Sequence, residues 1–267
     1  MPTTELLYGR NAVREALRAR RRRLHRLLLA ERGREGGDQR LRELADEARR
    51  AGIAVLEGPR QQLDRAAPGA NHQGVALEAG PYPYVDFREL LAEAGASPLY
   101  LALDQVQDPQ NVGTLLRTAE AVGVTGVLIP EHRAAAITPA VVNASSGATE
   151  HLRVARVTNL ARALAQLKGA GVWVAGLEAA PEAGPLDDAD LAGPLALVVG
   201  SEGRGISRLV RETCDFLVRL PMRGRIASLN AAVAGSVALY AADRQRERMG
   251  GRNHRGTEAQ RTRREDN

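Results

Sequence analysis

The chain has 267 residues, 37 basic and 32 acidic side chains, a formal net charge of +5, and 44 % hydrophobic residues. That apolar content supports a packed core and excludes a wholly disordered chain. No apolar run approaches the roughly 18–20 residues a bilayer span requires. The start, Met1-Pro2-Thr3-Thr4-Glu5, lacks a charged-then-apolar leader, so no membrane partner and a cytoplasmic location are expected. Cys214, the one cysteine, can form neither an intrachain disulfide nor a cysteine-rich zinc site.

Charge is unevenly spread. Every basic residue except Lys168 is arginine, whose planar fork bonds phosphate bidentately. Residues 1–34 hold ten arginines against three glutamates, with the densest run at Arg20-Arg21-Arg22-Arg23 and Arg26 close behind. A basic end on a mildly acidic body points to a polyanion partner, with a solvated surface as the plain alternative. One Trp, two Phe and five Tyr are too few for a base-stacking platform, so any nucleic-acid contact rests on phosphate and shape.

In chain order, apolar spacing predicts a helix over 11–19, a strand at 27–30, a helix over 39–51 stopped by Gly52, and a strand at 53–56. A helical piece at 61–67 and a strand at 74–77 complete a small α/β module spanning 1–78. Gly80-Pro81-Tyr82-Pro83-Tyr84 breaks regular structure, which places a linker over 79–98 around a short helix at 86–94. From Leu99 the alternation is regular: strands at 99–103, 126–129, 172–177, 195–199 and 216–220, and helices at 112–122, 139–144, 160–170 and 229–246. Continuous apolar strands between helices imply a parallel sheet covered on both faces, over a second domain at 99–249. The polar, aperiodic segment 250–267 reads as a disordered basic tail. Trp173, inside an apolar strand, reads as core, and Cys214 as a small buried or half-buried residue.

Three unusual segments sit at carboxyl ends of strands, where α/β sheets collect ligands. The first is Asp104 to Gly113, with Asn111 at its end and Arg117 six residues later on the following helix. Alone it reads equally as a turn and cap. The second is Gly200-Ser201-Glu202-Gly203-Arg204-Gly205, whose glycines let a backbone approach a ligand closely. Its spacing is neither the dinucleotide fingerprint nor a P-loop. The third is Pro221 to Asn230, in which Ser228 suits the N-cap of the last helix and places Asn230 in the first turn.

Taken together and in order, N-x-G-x-x-x-R at 111–117, G-S-E-G-R-G at 200–205 and S-L-N at 228–230 resemble the three motifs of the SpoU/TrmH family of RNA 2′-O-ribose methyltransferases, of the SPOUT superfamily. The start Leu7-Tyr8-Gly9-Arg10-Asn11-Ala12-Val13 and the segment His72-Gln73-Gly74-Val75 resemble the substrate-binding domain of the bacterial 23S rRNA guanosine 2′-O-methyltransferase subgroup. The resemblance implies an α/β catalytic domain with a deep trefoil knot, a small ribosomal-protein-like RNA-binding domain before it, and a homodimer. It also implies S-adenosylmethionine as cofactor, held by Gly200, Leu220 and Leu229. Arg117 is then the residue at the ribose, Asn111 orients it or the ribose, Glu202 holds Arg117 or an RNA-side hydrogen bond, and Ser228 and Asn230 complete the wall. The family often has Val-Ser after S-L-N, where this chain has Ala231-Ala232.

The expected substrate is a guanosine of 23S rRNA, free or in an assembling large subunit, with a tRNA ribose as the alternative. A non-catalytic RNA-binding or ribosome-assembly factor on the same fold is a second reading, marked by loss of cofactor binding. A nucleotide-dependent oxidoreductase is a third, against which the glycine spacing counts. No metal is implied: His25, His72, His132, His151 and His254 show no ligand spacing.

Overall fold

The computed structural model describes residues 4–31, 38–226 and 228–265, with side chains through Met249. Residues 1–3, Arg32, Arg34 and the side chains of the expected tail at 250–267, His254 among them, lie outside the described residues.

The chain begins with β1 (Glu5–Tyr8), α1 (Arg10–Ala19), β2 (Leu24–Ala30), α2 (Gln39–Arg50), β3 (Ala54–Gly58), α3 (Arg60–Ala66) and β4 (Val75–Ala79). It continues with α4 (Phe87–Ala92), β5 (Leu99–Asp104), α5 (Pro109–Ala121), β6 (Gly126–Pro130), α6 (Pro139–Ala144), a 3-10 turn at Ala148–Glu150, β7 (Val154–Val157), α7 (Leu160–Gly169) and β8 (Trp173–Leu177). The last elements are β9 (Gly184–Pro185), a second 3-10 turn at Leu186–Asp188, β10 (Leu195–Gly200), α8 (Arg208–Thr213), β11 (Phe216–Arg219) and α9 (Ala231–Glu265). These fall into two compact units.

The first unit comprises Met1–Val85, Gln107–Glu120 and Ala135–Val154. Its sheet has the order β1-β4-β2-β3, with β2 and β3 parallel and the other pairs antiparallel. β1 was not anticipated: four residues are too few to show alternation, and its register, Leu7 opposite Leu77, is non-local. α1 buries Ala12, Val13, Ala16 and Leu17 on one face, the spacing its sequence predicts. It ends where Arg20 turns left-handed and returns its N–H to the Ala16 carbonyl. The Gly80–Tyr84 break holds Tyr82 buried, its hydroxyl donating to the Thr149 and Leu152 carbonyls at 2.9 and 2.8 Å.

The basic run is largely structural. Arg22 is buried, ion-paired to Glu5 and Glu150 at 2.7 and 2.8 Å, and sits 5.1 Å from the Tyr82 ring. Arg21 donates to the Leu152 carbonyl, Arg20 to that of Leu17, and Arg26 forks onto Glu78 at 2.7 Å twice. Arg23, one residue before β2, is exposed.

The second unit comprises Asp86–Val106, Ala121–Ala134 and Ala155–Asn267. Its seven-stranded sheet has the order β7-β6-β5-β10-β8-β11-β9. The pairings β5/β6, β5/β10, β8/β10, β8/β11 and β9/β11 are all parallel, as the continuous apolar strands predict. Every residue of β5 and of β10 is buried, so the sheet centre is covered on both faces.

Three details correct the sequence reading. β7 and α8 were not anticipated, because four and six residues carry too short a pattern to reveal a period. Trp173 is not core: it opens β8 and is 59 % exposed. Strand alternation is the reason, since its neighbours Val172 and Val174 point inward. The last helix also outruns its apolar stripe, with helical backbone beyond Arg246 to Glu265.

Candidate functional site

The carboxyl ends of β8, β10 and β11 open into a cleft of about 530 Å³. Gly200, Glu202, Leu220, Ser228, Leu229 and Asn230 all line it, so two of the three sequence segments meet at one place. The volume falls in the roughly 300–1,000 Å³ range of small-molecule sites. Leucine side chains supply apolar walls and the glycine turn supplies accessible main chain.

The turn explains its own glycines. Ser201 and Gly205 exchange backbone hydrogen bonds at 3.1 and 2.9 Å, which folds the segment back on β10. A Cβ on Gly200 would lie 2.2 Å from the Gly205 carbonyl carbon, so no side chain fits there. Gly203 and Gly205 have φ of +75° and +65°, the left-handed region that favours glycine. At the exit, buried Asp104 at the end of β5 accepts from the Ser207 N–H at 2.6 Å and anchors the turn.

The third segment differs from expectation. Ser228 is not the N-cap of α9; Asn230 is. Its Oδ1 accepts from the Ala232 and Val233 N–H groups at 2.9 and 3.1 Å. Both residue types cap helices well, and the three-dimensional path of the chain decides which one faces the amides. The Asn230 Nδ2 donates to Glu202, joining the start of α9 to the glycine turn. The partner seen for Glu202 is therefore Asn230.

Asn111 and Arg117 stand on α5, in the first unit. Asn111 is buried, and its N–H donates to the Asp108 carboxylate at 3.3 Å. A Cβ on Gly113 would lie 2.4 Å from the Ala144 Cβ and 2.8 Å from the Ser145 nitrogen, so the motif glycine lets α5 and the end of α6 touch. Arg117, one turn further along that face, donates from Nη1 to the Ser146 hydroxyl at 3.1 Å. Sequence reasoning missed Ser146 and Glu178, the latter lining the cleft with its Oε1 close to Gly205, and included Asp104 in the first segment without giving it a role. The signal that could have assigned that role is a polar residue ending an apolar strand; Ser146 and Glu178 carried none.

Among the described residues no group of three or more His, Cys, Asp or Glu side chains is arranged for a metal ion. His72 is buried between Asp64, 2.9 Å from Nε2, and the Gly74 N–H, which donates to Nδ1 at 3.0 Å. Burial pushes the Cys214 thiol up to about 12, so it stays protonated and unreactive. No described helix is long and apolar enough to cross a membrane.

A glycine-lined cleft beyond the carboxyl ends of a parallel sheet defines an α/β protein with a small-molecule-sized site where such sheets collect ligands. Residues 98–240 match the model of the SpoU rRNA Methylase family, and residues 6–85 match the RNA 2′-O ribose methyltransferase substrate-binding model. The chain belongs to the SpoU rRNA methylase family and is a methyltransferase of SpoU/TrmH type. It is similar to YacO of Bacillus subtilis (strain 168), which bears the name of a TrmH family tRNA/rRNA methyltransferase, at 43 % identity over 92 % of this chain and 98 % of that one. Among solved structures it resembles an RNA 2′-O ribose methyltransferase, at 26 % identity and a TM-score of 0.76 over 91 % of this chain and 89 % of that one. It also resembles the AdoMet-bound rRNA methyltransferase of Sinorhizobium meliloti, at 25 % identity and a TM-score of 0.74 over 90 % and 87 %.

Proposed function

We propose that the chain methylates the 2′-oxygen of an RNA ribose, most specifically of a guanosine in 23S rRNA, using S-adenosylmethionine. The observation that carries this reading is the single cleft lined by Gly200, Leu220, Leu229 and the Glu202–Asn230 pair. S-adenosylmethionine bound there supplies an electrophilic methyl on a sulfonium. Gly200, Gly203 and Gly205 line the cleft without side chains, which fits a ligand gripped by main chain. Leu220 and Leu229 flank an adenine-sized ring with apolar surface, and Ser228 adds a hydroxyl to the wall. Glu202, held by Asn230, keeps the glycine turn closed on β10.

Arg117 acts at the ribose. A guanidinium holds its proton in a protein, so it is not itself the base. It binds the phosphate next to the target nucleotide and fixes the 2′-hydroxyl, and that phosphate takes the proton. Asn111, bonded at the start of the same helix, orients the arginine. A hydroxyl held in line gains most of its advantage from such positioning.

The segment 1–78 serves as the RNA-binding domain and 99–249 as the catalytic domain, with the knotted C-terminal segment and cytoplasmic location that the family resemblance implies. A homodimer fits the surface of α9. Val233, Val237 and Tyr240 recur at helical spacing and are 48, 46 and 46 % exposed, while Ala232, Ala238, Leu239 and Ala242 on the other face are buried. A second copy covers that outer stripe.

The test is methyl transfer from labelled S-adenosylmethionine to unmodified 23S rRNA and, in parallel, to bulk tRNA, with the nucleotide mapped. Label at one guanosine ribose of 23S rRNA supports the full reading. Label in tRNA alone keeps the chemistry and overturns the substrate. No label and no cofactor binding overturns the enzyme.

A further inference from the structure

The spacing Asn111-x-Gly113-x-x-x-Arg117 has a structural consequence beyond the family motif. Gly113 and Arg117 lie one helical turn apart on α5, and both face the same short segment, Ala144-Ser145-Ser146. The glycine brings the helix to backbone contact with Ala144 and Ser145. The arginine then reaches the next residue, Ser146. That residue has φ of +55°, a left-handed conformation unusual for serine, and is followed by Gly147 at +87°. Left-handed backbone is unfavourable for an L-residue because its Cβ crowds the following carbonyl, and glycine or asparagine takes it more easily. Serine stands there nonetheless, and its hydroxyl is the atom on which Arg117 Nη1 rests at 3.1 Å.

We infer that Ser146 is a positioning residue that aims the Arg117 guanidinium. The inference rests on the reading of Arg117 given above. With Nη1 fixed on the serine oxygen, the Nη2–Nε edge is presented as a flat fork, the geometry that a phosphate accepts bidentately. The seat of the serine is firm. Its predecessor Ser145 is fully buried, with its hydroxyl donating to the Val142 carbonyl at 2.9 Å. A Cβ on Gly147 would meet the Glu15 side chain at 2.7 Å, and Glu15 in turn bonds His151 at 2.9 Å. Two residues earlier than Ser145, Asn143 donates to the Tyr8 carbonyl at 2.9 Å. The bend that carries Ser146 is therefore built against β1 and α1, so the arginine is aimed from the amino-terminal segment of the chain.

Ser146→Gly keeps the left-handed backbone and removes the hydroxyl, so folding is not at stake. In full-length protein, with unmodified 23S rRNA (or tRNA, where that is the RNA labelled), kcat is expected to fall about ten- to a hundredfold. KM for RNA, cofactor affinity and Tm stay at their unaltered values. Ser146→Asn, which tolerates the same backbone and offers a carbonyl oxygen, recovers part of kcat. Arg117→Ala is the control. If Arg117→Ala is inactive while Ser146→Gly turns over normally, the inference is overturned and the role of Arg117 stands. If Arg117→Ala remains active, the role of Arg117 itself is overturned. Loss of Tm or cofactor affinity in step with kcat in Ser146→Gly makes the serine merely structural and also overturns the inference.

Discussion

Arg22 and Glu150 lie 128 residues apart in sequence and form a 2.8 Å ion pair in which each side chain is 1 % exposed. Glu5 at 2.7 Å and the Gly80 carbonyl at 3.3 Å complete the surroundings of the guanidinium. Burial pushes the Glu150 carboxyl above its ordinary value, and the neighbouring Arg22 only partly offsets this. Breaking such a pair from one side leaves a buried charge unmatched. Arg22→Met should therefore lower stability by about 3–5 kcal/mol, read by urea denaturation. A loss under about 1 kcal/mol is what a solvated surface pair would give and would refute the burial argument.

The same pair has a pH signature. The folded-state value of Glu150 lies above 4.5, so the folded protein binds the proton more tightly than the unfolded chain. Stability is then lost as pH rises from 4.5 through the folded value. Glu150→Gln carries no such titration, so the stability of the unaltered protein should decline relative to Glu150→Gln across that window. Denaturation of both proteins from acid to neutral pH checks the sign. A difference that grows in the opposite direction contradicts it.

Gly200→Ala tests the glycine turn. The added methyl would stand 2.2 Å from the Gly205 carbonyl carbon and 2.5 Å from the Ile206 nitrogen, both backbone atoms with little room to move. The expected cost is about 1–3 kcal/mol, accompanied by loss of S-adenosylmethionine binding in calorimetry. Unchanged binding would show that the turn can open without consequence for the cleft.

Arg23 and Arg22 should separate in RNA binding. Arg23→Ala is expected to reduce the slope of log affinity against log salt by about one, the signature of a lost phosphate contact. Arg22→Met, whose charge is already spent inside the fold, should leave that slope unaltered. Filter binding to 23S rRNA over a range of salt measures both. Equal slopes for Arg23→Ala and the unaltered protein would remove this arginine from the interface.

Val237→Glu tests the outer stripe of α9. A charge at a 46 % exposed valine costs the monomer little but cannot be buried against a second copy without a large desolvation penalty. The expected outcome is a monomer in sedimentation equilibrium, against the dimer proposed for the unaltered protein. A dimer that persists would place the interface elsewhere.

Much of the fold was legible from local pattern. β5 and β10 announced themselves as uninterrupted apolar strands because they are buried on both faces. α1 and α2 showed their buried faces through helical spacing. β1 stayed hidden because its identity depends on pairing with β4, some seventy residues on. Of the site, the glycine turn and the leucines beside it were readable, and they do share one cleft. The helix cap was misplaced because Ser228 and Asn230 are chemically interchangeable as caps. The basic run looked like one surface, yet Arg22 is core and Arg26 is matched to Glu78.

The amino-acid sequence by itself determined the family, the longer strands and helices from Leu99 onward, and the three segments that bear on chemistry. Those properties are local: a residue's period, its backbone freedom and its spacing to the next motif travel with the chain. Only the tertiary structure decided that Asn230 rather than Ser228 caps α9, that Trp173 faces water, that Arg22 is sealed against Glu150, and that Arg117 rests on Ser146. Each is a choice of partner between residues remote in sequence or equivalent in type. Such choices are settled by which groups are desolvated together, and desolvation is a property of packing in three dimensions.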